Sequence, residues 1–587
     1  MADLLEKTED WKLYEDGKNY LRKINHYETV NKNFRFYSGD QWHGVQSNGL
    51  PTPVFNFIKR VIDYKISSVM SNDLGYNFEV VGLDVNTMPE MKAFIDAIKG
   101  YSKTLWENLK MHSMNQRGLL DAANSGSMIS YWYFEPNIKT GQLLQGDIVG
   151  ELIDSVNYLP GNPNDARINT TYGVVQPYII IPFRMLVSQA REIARANGVS
   201  EESIKQIIGD TDNTEQAGDL SKHEIESTGD NSGKVTVLLK MWFDSETQTV
   251  WFRKSVKSMI IQDKRDTMLR IYPVAMMNWY DLKNCAYGSA EASGLIPNQI
   301  YVNKIAAMIQ MASMYTSFPK PIYDKTRMAP PSNQIGTAIG VQGDITGAFK
   351  YAEPPKISSD AFNMFNITIE TTKELMGATD AVLGNVKPEN TSAIIAVQEA
   401  AAVPLENIKR RFWQYIEDVG RIWLEMWVTY YGARKVPIKM NDQVSLVDID
   451  FSMFKNFIWN TKVDVGPSTQ YSEIASINAL DRLIMNKDID IIDYLERIPE
   501  SVIPKKDELI ASKKQMIEQA AQRDIGQAQD NEQAQYEQMA QFLESLPKEV
   551  QSKVSSLPPE EMENHIKAMM QLKPSELQAH IQTMLGG

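Results

Sequence analysis

Apolar and polar positions change period several times along the chain, and those changes divide it into segments. Leu13, Tyr20, Ile24 and Tyr27 recur at helical spacing, so residues 1–36 are predicted to be helical. Ser38-Gly39-Asp40 predicts a turn, because glycine and aspartate suit a tight reversal. Residues 55–70 read as helix again, 76–81 alternate as a strand does, and 89–126 are mostly helical in pattern. Strands are expected at 128–135, 148–158 and 176–182. Residues 209–233, rich in Gly, Asp, Ser, Thr and Asn, predict a loop or linker. Strands resume at 235–243, 249–253 and 258–262, which makes residues 1–290 an α+β lobe.

The character changes near Gly294. Residues 295–315 form a helical pattern of low charge with Lys304 as its one basic residue, and 316–356 hold many prolines and glycines. A second helix is expected over 358–376, a short polar loop over 377–390, and a long helix over 391–432. That last helix would run roughly 60 Å at 1.5 Å per residue, with a kink at Pro404, whose ring clashes with the preceding turn. Strands follow at 444–451 and 461–465, and helices with short turns at 468–498. From Pro504 the chain is helical in pattern and rich in glutamine, with nine between residues 515 and 541. Met516, Ala520, Met539, Phe542 and Leu546 suggest a narrow association seam; a partly disordered tail competes with it. No internal period is visible.

At 587 residues, with 11 Trp, 25 Tyr and 19 Phe, the chain can fill a sizeable core and divide into several lobes. Its net charge of −14 is the reverse of what a tight phosphate binder needs. Cys285 is the only cysteine, so no intrachain disulfide can form, and a reducing cytoplasm suits assembly. No secretory leader and no apolar run of about 20 residues appears, so no membrane role is expected.

Catalytic motifs are missing. There is no phosphate-binding glycine loop, no G-x-G-x-x-G, and no second histidine after His223-Glu224. Asp488, Asp490 and Asp493 are near enough in sequence to touch a cation, but such a run reads more simply as a solvated helix face. Asp448 and Asp450 read as an exposed sheet face. No enzyme activity, metal or cofactor is expected.

Tyr37-Ser38-Gly39-Asp40-Gln41-Trp42 follows a helix and precedes one opened by Asn56-Phe57-Ile58, then the strand Phe78-Glu79-Val80. Trp42 is expected to anchor this turn on the core. The order resembles the wing of portal proteins, the head-to-tail connectors of tailed double-stranded DNA bacteriophages. The helix, insert, helix, loop and long helix of residues 295–432 are similar to that family's two stem helices, clip, tunnel loop and kinked helix. Asn390-Thr391-Ser392-Ala393, with Gln398 and Pro404, is similar to the start of the kinked helix. The passage from Val465-Gly466-Pro467-Ser468 to Tyr494-Leu495-Glu496-Arg497-Ile498-Pro499 looks like the change from wing to crown.

The resemblance covers about residues 1–500 and implies an α+β, mainly helical subunit. Its parts would be a wing (1–290), stem helix 1 (291–315), clip (316–356), stem helix 2 (357–376) and tunnel loop (377–390). The kinked helix and wing return strands (391–466), crown helices (467–510) and Gln-rich extension (511–587) would follow. It implies a ring, usually of twelve subunits, at a capsid vertex of the virion, assembled in the host cytoplasm. Double-stranded DNA would pass through it. The terminase large subunit, adaptor or head-completion proteins, and major capsid and scaffolding proteins would contact it. Asp380, Asn385, Lys387, Glu389 and Asn390 become tunnel-loop candidates, and Lys304 and Lys373 stem candidates for facing the bore. Lys409-Arg410-Arg411 is read as pairing with carboxylates of a neighbour or with Glu406 and Glu417. Trp413, Trp423 and Trp427 are read as core or subunit contacts. A tail or baseplate protein, a metal-dependent nucleic-acid enzyme and a helical-repeat scaffold are the alternatives.

Overall fold

Local chemistry sets the element ends. The Thr8 hydroxyl accepts the Trp11 N–H (3.2 Å) and starts α1 (Glu9–Lys23). Asn25, in the left-handed region at φ 56°, separates it from α2 (His26–Ser38), so the single helix expected at the N-terminus is two. Gly39 (φ 97°) closes α2, with the Asp40 N–H returning to the Arg35 carbonyl at 2.9 Å. The computed structural model describes residues 7–72, 74–81, 89–141, 144–170, 173–210, 233–332, 334, 338–353, 359–375, 405–440, 443–455, 457–465, 477, 480–486, 489–498, 503, 506, 509–516, 534 and 537–586. They form two compact units, 1–469 and 470–587.

In the first unit, α3 (Phe57–Val69), β1 (Leu74–Val80), α4 (Pro89–Asn108) and α5 (Met111–Ser125) lead into β2 (Ser127–Glu135) and β3 (Asp147–Ile153). The strand expected over 148–158 breaks after β3 into a 3-10 turn at Ser155–Asn157 and β4 (Leu159–Pro160). A small ribbon, β5 (Asn169–Thr170) with β6 (Gly173–Val174), precedes β7 (Tyr178–Leu186), α6 (Val187–Ala196) and α7 (Glu201–Ile204). Then come β8 (Lys234–Asp244), β9 (Thr249–Ser255), β10 (Ile260–Asp266) and β11 (Val274–Asn278). All sheets among the described residues are antiparallel: β10-β9-β8-β7-β4, β11-β2-β3, and two-stranded pairs. α6, α7 and β11 were not expected, although α6 has a helical apolar period in Val187, Ala190 and Ala194, all buried.

Next stand α8 (Glu291–Ser317), the hairpin of β12 (Pro321–Tyr323) and β13 (Phe349–Tyr351), and α9 (Ser359–Leu375). α10 (Glu406–Met426) ends in a π-helical turn, Trp427–Tyr431, before β14 (Ala433–Met440), β15 (Gln443–Asp450) and β16 (Trp459–Val465). Of the expected helix over 391–432, the part up to residue 404 lies outside the described residues, Pro404 and its kink included. β16 pairs with β1, far away in sequence, from Leu74 opposite Val465 to Val80 opposite Trp459.

Three apolar cores fill this unit. The largest joins α3, α4, α5, β1 and α10 around Trp132, Trp423 and Trp427, all fully buried. Trp423 meets the rings of Tyr76 (5.5 Å) and Trp132 (5.4 Å) edge-on. A second core lies beneath α1, β7 and β8, and a third beneath α6. Asp10, fully buried on α1, receives Arg253 (Nε, 2.6 Å) and Lys240 (Nζ, 3.0 Å) from the sheet. Burial alone would raise its pKa, but these cations hold it below the usual value. Gly126 (φ 95°) crosses Gly288 so closely that a Cβ would sit 2.1 Å from the Gly288 carbonyl oxygen. The Trp279 N–H bonds to its carbonyl at 2.9 Å.

The second unit contains α11 (Ile491–Arg497), with Asp490 capping its N-terminus, and three helices near the end of the chain. These are α12 (Lys548–Ser555), α13 (Pro559–Met570) and α14 (Pro574–Leu585), which pack on Val550, Val554, Ile566 and Met569. Each opens beside a proline (Pro547, Pro558, Pro574), which suits the first turn of a helix.

Burial raises the pKa of Asp121 to about 7, with Asp154 adding repulsion, and that of Asp418 to about 6. The folded state therefore holds protons that the unfolded chain releases near 3.8. Their stabilising contribution is complete below that value and is lost as pH rises through about 6 and about 7. Asp121→Asn should raise the calorimetric Tm at pH 8 and change it much less at pH 5.

Candidate assembly site

α8 carries few charges, and its polar residues Glu291, Gln299 and Asn303 share one face with Leu295 at four-residue spacing. All four are buried. At the start of the helix Glu291 accepts from Lys65 (Nζ, 2.8 Å), Trp279 (Nε1, 2.9 Å) and Tyr280 (hydroxyl, 2.8 Å). Two turns on, Gln299 donates to the Phe55 carbonyl (2.7 Å) and accepts the Phe57 N–H (3.1 Å). Asn303 accepts the Phe55 N–H (3.2 Å) and donates to Gln41 Oε1 (2.6 Å). Gln41 itself donates to the Phe36 carbonyl at 2.9 Å. The first half of α8 is thus seated by side chains that hydrogen-bond the backbone leading into α3 at Phe55 and Phe57.

This gives the six-residue turn a different role from the one expected. Gln41, rather than Trp42, reaches the buried seat, while Trp42 is half-buried and closes the following loop by donating to the Pro53 carbonyl (2.9 Å). Gly39 supplies the left-handed turn that brings Gln41 round. Asp40 stays at the surface beside His43 (3.2 Å).

Beyond Ala306 the helix leaves the lobe. Met308, Met314, Tyr315 and Phe318 are exposed, Phe318 by 80%. α9 lies antiparallel to α8: Asn298 donates to the Thr372 hydroxyl (2.9 Å), and Phe55 meets Phe365 edge-on. Between them runs a groove of about 480 Å³ bordered by Ile309, Met314, Phe318, Phe362 and Phe365. Phe362, Met364 and Ile367 of α9 also face outward. Among its described residues the insert has a three-residue ladder, Pro321–Tyr323 against Phe349–Tyr351, and a bridge between Met328 and Val341. Met328 and Ala348 are the buried apolar residues among those described. Its turns are set by Asp324, which accepts from Thr326 (N, 2.9 Å; Oγ1, 2.6 Å), and by Asp344, which does the same for Thr346. So short a ribbon is marginal by itself.

Lys304 is exposed on α8, on one stripe with Tyr301 and Met308. Lys373 lies within α9, its side chain outside the described residues. Asp380, Asn385, Lys387, Glu389 and Asn390 are also outside them. Arg411 turns to the Trp279 carbonyl (2.7 Å) and Asp281 (3.1 Å) within its own chain, and Glu417 accepts the Val463 N–H (3.2 Å). Trp423 and Trp427 are core residues, and Trp413 packs half-buried against them. Glu291, Gln299 and Asn303 do not break the period of a low-charge helix, and their four-residue spacing is the sequence signal of the seat.

Among the described residues no three His, Cys, Asp or Glu side chains come together as a metal site. No helix there is long and apolar enough to cross a membrane. Comparison with curated proteins finds no match. A family model described as "Phage P22-like portal protein" matches residues 222–580, which include α8, the insert, α9, α10 and the C-terminal helices. A match over more than half of the chain, on a subunit whose paired helices flank a small insert, makes this protein a member of the P22-like phage portal family, a structural head-to-tail connector and not an enzyme.

Proposed function

We propose that the chain assembles into a ring, of twelve copies in the common form, that stands at one capsid vertex and admits double-stranded DNA during packaging and ejection. The observation that carries this reading is the outward half of the α8–α9 pair. It exposes Met308, Met314, Phe318, Phe362 and Ile367 along one pair of antiparallel helices. Contiguous exposed apolar side chains of this size mark an association surface, and a closed ring lets every copy cover its neighbour's. In this reading α8 and α9 are the stem, residues 316–356 the clip, and 377–390 the tunnel loop. That loop would present Asp380, Asn385, Lys387, Glu389 and Asn390 to DNA, and Lys304 and Lys373 would face the bore. The net charge of −14 suits a conduit, since each phosphate contact must break as DNA moves. The clip would dock the terminase large subunit and later the adaptor proteins, and the wing would contact capsid and scaffolding proteins. The C-terminal helices would form the crown or its extension.

The test is the native mass by light scattering, with negative-stain images of the same fraction. A twelve-membered ring of 66.6 kDa subunits has a mass of about 800 kDa, and rings with a central hole are expected. A compact dimer or trimer without a channel would overturn the reading. Replacing Phe318 and Phe362 by Ser should lower the ring fraction while changing subunit stability by less than about 0.5 kcal/mol, because both are exposed.

The seat predicts the opposite behaviour. Glu291→Ala leaves Lys65, Trp279 and Tyr280 without their acceptor and should cost about 3–5 kcal/mol in denaturant unfolding. Gln41→Leu strands the Asn303 amide and should cost about 1–3 kcal/mol.

A further inference from the structure

The chain between the buried Gln41 and α3 is tied down at both ends and turned outward in the middle. Gln41 and the Phe55 backbone are both held by Asn303 of α8. Trp42 Nε1 donates to the Pro53 carbonyl across the loop. The Leu50 N–H returns to the Ser47 carbonyl (2.8 Å) through Asn48 and Gly49, at φ 47° and 82°. A loop pinned in this way holds its apolar side chains out of the lobe: Val45 and Leu50 are 56% and 53% exposed, and Val54 is exposed after them. Lys59 and Arg60 follow, exposed on the first turn of α3. α9 carries the complement. Phe365 and Thr372, which meet Phe55 and Asn298, mark its inner side. Ile367, Glu370 and Glu374 share the opposite side at spacings of three and four, with Met364 beside them, all exposed. Among the described residues neither Lys59 nor Arg60 meets a carboxylate, and neither Glu370 nor Glu374 meets a cation.

We propose that loop 42–55 of one copy packs on the outer side of α9 of the next copy. Val45, Leu50 and Val54 lie against Met364 and Ile367, and Lys59 and Arg60 pair with Glu370 and Glu374. The two patches differ, so the contact is head-to-tail, and its repetition makes a ring when the rotation closes. Rotation about a ring axis carries a patch sideways without changing its level. Phe55 and Phe365 touch (5.5 Å between ring centres), which puts the loop and α9 at one level. The outer side of α9 faces away from its own loop, so the loop that reaches it belongs to another copy. Opposite charges across the contact fix its register, and a loop already ordered loses little freedom on docking. The contact rests on the ring reading and gives that ring its specific partners.

The test uses the full chain carrying Leu50→Cys with Ile367→Cys in a Cys285→Ser background, oxidised with diamide and run on a non-reducing gel beside each single variant. A ladder of chain multiples is expected from the double variant and none from either single variant, and mixing the two single variants should give dimers alone. In parallel, Lys59→Glu with Arg60→Glu, and Glu370→Lys with Glu374→Lys, should each raise the protein concentration needed for assembly roughly tenfold. The four changes together should restore it. A ladder from particles that are not closed rings keeps the contact and overturns the ring reading. Closed rings with no interchain disulfide in the double variant, or with assembly indifferent to both charge reversals, overturn the contact and leave the ring reading standing. No ladder and no rings overturns both. The substituted positions on the loop, α3 and α9 are exposed, so these variants keep the fold.

Discussion

The buried polar seam along the first half of α8 is the constraint on which the rest of the subunit depends. A helix that must leave its lobe and present apolar side chains cannot be held by apolar burial along its whole length. Glu291, Gln299 and Asn303 hold it by other means, through directional bonds to Lys65, Trp279, Tyr280, Gln41 and the backbone at Phe55 and Phe57. Such bonds fix rotation as well as position, since a turned helix would bury unpaired amides and a carboxylate. The same seam ties α8 to α10, because Arg411 holds the Trp279 carbonyl while the Trp279 indole holds Glu291.

Rigidity in the lobe and exposure along the outward halves of α8 and α9 are complementary. Trp132, Trp423 and Trp427 pack α10 against β1 and β2, and Arg270 grips Glu425 through two bonds of 2.8 and 2.7 Å. The described residues of the insert between α8 and α9 bury Met328 and Ala348 and are otherwise held by the β12–β13 ladder, a bridge between Met328 and Val341, and turns set by Asp324 and Asp344. A segment of this kind gains order most readily from neighbours, which the proposed ring would supply.

Much of the plan was legible in the sequence. The order of helix, insert and helix is visible because prolines and glycines cluster in the insert, although α8 itself runs through Pro297, and α3 announces itself through Asn56, which accepts the Lys59 N–H at 3.2 Å. Other features were hidden for physical reasons. Asn25 splits the first helix by one positive φ, which leaves no gap in the apolar period. β14 escaped because Pro437 and three basic residues break its alternation. Gln41 was overshadowed by Trp42, since bulk is easier to read than a hydrogen-bonding partner 262 residues away. The pairing of β1 with β16 depends on tertiary packing that no local pattern encodes.

Hydrogen exchange along α8, in the isolated subunit and in the assembled particle, tests the account most directly. The account predicts strong protection over residues 291–306 in both states, and protection over 307–317 only after assembly. Uniform protection of the whole helix in the isolated subunit, or fast exchange at Gln299 and Asn303, would contradict it.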